Sequence, residues 1–209
     1  MVQRRTELQH ALGPGLHRQS GTAVLAAVLQ GQRQALDSLT PALPVLERAA
    51  DLAANALMAG GKLGYAGAGS SGLMALADCL EMAGTFGIPP SQTPMLFAGG
   101  AAALLHMVGS VEDDANQAAS DVATAGLGAG DVVICVAASG STPYTLAVAR
   151  AAREAGAGVI GLANTAGAAL FDLSDVPVLI DSGAEVIAGS TRLGAATAQK
   201  AALNMMTRT

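Results

Sequence analysis

Apolar positions change their period along this chain, and the change divides it into two parts. From residue 21 to about 39, and again from 41 to about 58, they recur at helical spacing: Val24, Leu25, Val28 and Leu29, then Leu46, Ala49, Ala53 and Leu57. Two helices are predicted, separated at Thr40-Pro41, because a proline can begin a helix but not continue one. Beyond them the period shortens. Residues 62–66, 132–137, 159–162 and 176–180 read as strands, with 95–97 as a shorter one. The run 132–137 is almost continuously apolar and rich in β-branched residues, the mark of a strand buried on both faces. Between the strands, helices are predicted after the first strand to about 83, from about 112 to 125, after Pro143 to about 155, and from 190 to about 206. Strand and helix in alternation mean parallel βαβ units, hence an α/β fold: a three-layer αβα sandwich around a doubly wound parallel sheet. Residues 1–59 are expected to form a helical segment packed on the core formed by 60–209. Residues 1–19, polar and glycine-bearing, are expected to wrap over a neighbour or stay loose.

Composition narrows the class. Of the 209 residues 51% are hydrophobic but only 2% aromatic, with no Trp, so the apolar mass is Ala, Leu and Val. That suits close helix-on-sheet packing better than a protein-binding face rich in Tyr and Trp. A net charge of −5 without a Lys/Arg run argues against nucleic acid and against an anionic membrane surface. No apolar run is long enough to span a bilayer and the first ten residues carry no apolar signal core, so a cytoplasmic protein is expected. Cys79 and Cys135 lie in apolar stretches without metal-ligand spacing and are read as reduced and buried.

Candidate chemistry sits where the strands run out, since ligands of such sheets bind at the strands' carboxyl ends. Gly67-Ala68-Gly69-Ser70-Ser71-Gly72 joins a strand to a helix, so its amides and the positive end of the helix face an anion. The segment fits a G-x-G-x-x-G dinucleotide pattern, yet no acidic residue ends a second strand about 20 positions on. Its serines suit phosphate better. Ser139-Gly140-Ser141-Thr142-Pro143 repeats the design, with Thr142 placed to cap a helix and Pro143 suited to its first position. Each hydroxyl alone could be only a cap, but two hydroxyl-rich turns on adjacent strand ends point to a shared anion site. A third loop sets Glu185, Ser190, Thr191 and Arg192 around another helix start. Glu81, late in the first phosphate-loop helix, is expected to face water. Glu112 leads Asp113-Asp114 in a position equally natural for a helix N-terminal acid. Either reads as structural on those grounds, although two carboxylates from separate elements could serve as acid and base if burial separates their pKa values.

Together these motifs resemble the sugar-isomerase (SIS) domain of the N-acetylmuramic acid 6-phosphate etherases. The resemblance runs from about Thr6 to the end of the chain and is carried by GGKLGYAGAGSSG (60–72), EMAGTFGIPP (81–90), AGG (98–100), EDD (112–114), AASGSTPY (137–144) and GSTRLGAATAQK (189–200). It implies a five-stranded parallel sheet and a homodimer with sites near the interface. It further implies cleavage of the lactyl ether of a phosphorylated amino sugar, by elimination and water addition, without metal or nucleotide. Glu81 and Glu112 match the family's two acid/base glutamates, Glu81 being assigned as acid and Glu112 as base. Ser71, Ser139 and Thr142 match its phosphate-holding hydroxyls, with Gly69, Ser70, Gly140 and Ser141 beside them. The chain departs from the family at Leu73 and Ser141, where arginines are usual, at Met82-Ala83-Gly84 in place of Cys-Pro-Pro, and at Gly194 in place of lysine. Those lost cations leave two other readings open, a non-catalytic phosphosugar-sensing protein and a phosphosugar isomerase. Isomerases of this fold often place a histidine in the site, whereas His10, His17 and His106 sit in no family motif.

Overall fold

The computed structural model describes residues 5–106 and 109–207. Five strands form one all-parallel sheet: β1 (Leu63–Gly67), β2 (Met95–Phe97), β3 (Val132–Val136), β4 (Gly158–Ala163) and β5 (Val176–Leu179). Their order across the sheet is β2-β1-β3-β4-β5. Tyr65 is level with Met95 on one side and Ile134 on the other, and Ile134 with Ile160. The order reverses direction between β1 and β3, so their carboxyl ends flank a crevice that no crossover covers.

Strand alternation supplies two cores. Leu63, Tyr65, Val132, Ile134, Val136, Ile160, Leu162 and Val178 point to one face, where they meet four helices: α1 (Gly21–Asp37), α2 (Leu43–Met58), α3 (Gly69–Phe86) and α7 (Gly194–Met206). Ala66, Val133, Cys135 and Val159 point to the other face. There they meet α5 (Ala115–Ala125) and α6 (Pro143–Glu154), tied together by the Tyr144 hydroxyl, which donates to Asp121 Oδ2 at 2.6 Å. A short helix, α4 (Gly100–Leu105), follows β2 and lies outside the periodic signals. The helix α2 joins the first core through Leu46, Ala49 and Ala53, α1 through Ala35, and Leu39 from the turn between them. Of the stripe expected on α1, Leu25 and Leu29 are exposed instead, since α1 buries its Ala27 and Ala35 side.

Helix boundaries follow local chemistry. Ser20 caps α1 by accepting from the Ala23 amide, and Gly87 ends α3 in the left-handed conformation that a side chain would disfavour. With prolines at 41 and 44 the second helix cannot form a regular first turn, so residues 40–42 make a single 3-10 turn and α2 starts at Leu43. Residues 191–193 form a turn, and α7 starts at Gly194 instead of Ser190. Residues 5–19 are not loose: Thr6 is buried, its carbonyl accepts the Gly189 amide, and Gly13 lies against the Val186 backbone. Residues 1–4 of that stretch, and 208–209, lie outside the described residues. Among the described residues no helix is long and apolar enough to cross a membrane.

Ile134 is fully buried in the central strand. Replacing it with alanine should cost about 2–5 kcal/mol of unfolding free energy. Equilibrium urea denaturation of the two proteins measures the difference.

Candidate active site

The crevice between β1 and β3 begins with a steric requirement. A side chain at Gly67 would strike the Gly72 backbone, its Cβ 2.9 Å from Gly72 Cα, and one at Gly72 would strike Phe97 Cε2 at 2.7 Å. Only with both positions bare can α3 leave β1 so abruptly that its first amides face the crevice. The helix α3 has no side-chain cap, and neither has α6, where Thr142 occupies the capping position without making the capping bond. By contrast, α5 and α7 have their first amides met by carboxylates: Asp114 accepts from Asn116 and Gln117, and Glu185 from Gly194 and Ala195. The two bare helix ends therefore keep donors and positive dipole ends for an anion.

The cavity between these ends has a volume of about 290 Å³. Gly69, Ser70 and Ser71 line it from the first turn, Ser139 and Thr142 from the second, and Thr191 from the third loop. Ser139 Oγ accepts both the amide and the hydroxyl of Ser141, each at 3.2 Å, which leaves its own proton to be donated. Gly140, at φ +61°, presses against Ala168 and shapes that turn without lining the cavity. Thr6 and Glu7 close the cavity from the N-terminal stretch. Nothing in their residue types alone signals a site.

Of the two acids that line the cavity, Glu7 comes from the N-terminal stretch and Glu112 from the segment ahead of α5. Glu112 belongs to a 3-10 turn (Gly109–Asp113) ahead of α5, not to the helix itself, because Asp114 is the residue that caps α5. From there its carboxylate rests on the α carbon of Gly69, so closely that a side chain at 69 would collide with Oε1. Gly69 is at φ +52°, a second reason for glycine. Burial, and then the neighbouring charge of Asp113, hold the Glu112 carboxyl above the usual carboxylate range. An adjacent helix N-terminus would pull the other way, so desolvation wins here.

The remaining predicted residues lie elsewhere. Glu185 is 4% exposed with both oxygens taken at 2.9 Å by the start of α7, so it holds the third loop and does not line the cavity. Gly194, where the family has lysine, makes room for that carboxylate. Ser190 and Arg192 flank Thr191 without lining the cavity, Arg192 being exposed. Glu81 is farther off still. It stands twelve residues beyond Gly69 on α3, about 18 Å at the helical rise, with its side chain 66% exposed and Oε2 at 3.5 Å from Lys200 Nζ. It does not line the cavity that Glu112 lines.

A larger cavity of about 460 Å³ lies near the opposite, amino ends of the strands, among Leu57, Met82, Phe86, Ile88 and Met206. Its walls are apolar and offer no paired acid and base. Among the described residues no group of three His, Cys, Asp or Glu side chains could hold a metal. Both cysteines are free and buried, and burial pushes their thiols up, Cys79 to about 11 and Cys135 to about 12, away from nucleophilic use.

The SIS-domain family profile matches residues 29–164. The chain is 44% identical over 203 residues to an N-acetylmuramic acid 6-phosphate etherase of Deinococcus radiodurans, covering 97% of the chain and 67% of that protein. It is 35% identical over 204 residues to one from Halalkalibacterium halodurans, covering 98% and 68%. Other etherases it matches are covered less fully, such as 62% of the one from Geobacillus thermodenitrificans at 40% identity. Among solved structures, a phosphoheptose isomerase from Francisella tularensis superposes with a TM-score of 0.65 at 18% identity, over 90% of the chain and 98% of that protein. That likeness speaks for the fold.

Because the folded protein must bury Glu112, ionising it costs stability. Its raised pKa means that this penalty is absent at acid pH, where the carboxyl is protonated folded or unfolded, grows as pH rises above the ordinary glutamate pKa of the unfolded chain, and is complete once pH exceeds the raised folded pKa. Glu112→Gln should therefore melt higher than the parent at pH 7, with the gain vanishing as pH falls below the ordinary glutamate range. Thermal unfolding of both proteins across that pH range checks it.

Proposed function

The chain belongs to the SIS-domain family, among the N-acetylmuramic acid 6-phosphate etherases, and from that premise we propose that it cleaves the lactyl ether of N-acetylmuramic acid 6-phosphate. The products are N-acetylglucosamine 6-phosphate and D-lactate. The observation that carries this reading is the half-buried Glu112 carboxylate lying against Gly69, between two hydroxyl-rich turns at bare helix ends.

In this reading the phosphate takes the amides of the α3 and α6 N-termini and the hydroxyls of Ser70, Ser71, Ser139 and Thr142. Glu112 removes the C2 proton of the open-chain sugar, which the C1 aldehyde acidifies. A carboxyl held above its usual range is better matched to that abstraction near neutral pH. As the C2–H bond electrons form the C2–C3 double bond, the C3–O bond breaks and Glu81 protonates the departing lactyl oxygen. Water then adds, its hydroxyl to C3 and its proton to C2. Since Glu81 lies about 18 Å along α3 from Gly69 in its own chain, and the Glu112 carboxylate is packed against Gly69, the pair acts on one substrate when a second copy supplies Glu81. The functional unit is accordingly a homodimer with two shared sites. With Leu73 and Ser141 in place of arginines and no Lys or Arg among the described cavity-lining residues, helix ends and hydroxyls hold the phosphate.

Incubation with N-acetylmuramic acid 6-phosphate in heavy water, followed by D-lactate release and deuterium at C2, tests the reading. Lactate with deuterium incorporation is expected, and Glu112→Gln should slow both by about 10²–10⁴-fold. Exchange at C2 without lactate would mean another leaving group, and binding without either would mean a phosphosugar sensor.

A further inference from the structure

Glu81 is the less settled of the two glutamates. Its side chain is 66% exposed and its neighbour Leu80 is exposed as well, so nothing on α3 itself restricts it. What restricts it comes from α7. Lys200 Nζ lies 3.5 Å from Glu81 Oε2 and 3.5 Å from Asp78 Oδ1, one helical turn earlier on the same face of α3. Asp78 is only 3% exposed, and its second oxygen accepts the Tyr65 hydroxyl at 3.1 Å. Tyr65 is fully buried at the middle of β1; burial, then the Asp78 charge, raise its phenol so far that it remains a donor at any physiological pH. A continuous polar chain thus runs from the centre of the sheet to an exposed carboxylate: Tyr65, Asp78, Lys200, Glu81.

Stability does not account for this chain. A lysine–glutamate contact at the surface contributes little to folding, and a buried carboxylate anchoring a lysine is neutral at best against apolar packing of the same volume. What the arrangement does supply is direction. Asp78 is buried and hydrogen-bonded to Tyr65, so the ammonium it pairs with is confined, and the confined ammonium limits where the Glu81 carboxylate can go. An acid that must reach the ether oxygen of a substrate held by a neighbouring subunit gains from such restriction, because a misplacement of about 1 Å can cost about 10²-fold in rate.

We infer that Lys200, held by the buried Tyr65–Asp78 pair, is a positioning residue for Glu81. The inference rests on the reading of Glu81 as the acid of the etherase site. It concerns a cation outside the Glu112 cavity, one that acts through Glu81 and not on the phosphate.

The test is a double-mutant cycle on turnover of N-acetylmuramic acid 6-phosphate, with kcat and KM measured separately. Lys200→Met should lower kcat by roughly ten- to 10²-fold while KM stays within about twofold, and Lys200→Arg should recover most of the loss. In the Glu81→Gln background the same Lys200→Met change should have no further effect, since nothing remains to be positioned. An equal loss in both backgrounds would overturn the inference, as would a raised KM with kcat retained, which would mark Lys200 as a substrate contact. An unchanged Lys200→Met would overturn it too. If Glu81→Gln itself keeps full turnover, the reading of Glu81 as acid fails and the positioning role falls with it. Should Lys200→Met fail to fold because Asp78 is stranded, Asp78→Asn combined with Lys200→Met removes the charge together with its partner and carries the same expectation.

Discussion

How closely α3 can start beside the end of β1 decides most of what this protein can do. Gly67 and Gly72 touch backbone to backbone, with Phe97 filling the space a side chain at 72 would need. A helix that starts there directs its first amides at the crevice between β1 and β3, and Gly69 then leaves room for the Glu112 carboxylate to settle on the same spot. A methyl group at any of these three positions would push the helix or the acid away. The β1–β3 crevice exists in any sheet of this order; the glycines turn it into a place where an anion and a base can sit within one residue of each other.

The electrostatics of the crevice rest on omission. The amides at the starts of α5 and α7 are met by Asp114 and Glu185, while those of α3 and α6 are left uncapped. Uncapped ends are a cost to an empty protein and a gain to one holding an anion. Glu112 shows a related exchange: burial keeps its carboxyl above the ordinary range, a loss of stability that would suit the base of the proposed reaction. Function and stability pull apart at this one cavity, and the two cores around the sheet carry the difference.

The strands and most helices were legible because their periods differ so sharply: Val132–Val136 is buried at every position, and α2 follows its predicted apolar stripe through Leu46, Ala49 and Ala53. The two hydroxyl turns were legible because their glycines and serines follow strands. What could not be read was which of several groups would win a contact, whether nearby or far along the chain. Glu112 falls in a 3-10 turn because Asp114, two residues on, takes the capping bonds, and an acidic triplet does not say which member will do so. Glu185 turns inward because two amides nine and ten residues later need an acceptor. The tether on Glu81 joins residues 119 apart, beyond the reach of any local pattern. The short α4 lacks the length for a period to register.

Whether one site draws on two copies of the chain decides how the two glutamates can act together. Mixing Glu81→Gln and Glu112→Gln proteins, each inactive by itself, under conditions that allow subunits to exchange tests this most directly. If Glu81 and Glu112 meet across the interface, each mixed dimer gathers both substitutions into one site and leaves the other intact. About a quarter of the parent activity should then return at equal mixing, since half the dimers are mixed and each retains one of two sites. If the two glutamates serve the same site from a single chain, every site in the mixture carries one substitution. Activity staying at the level of the separate variants, with exchange verified, would contradict the account.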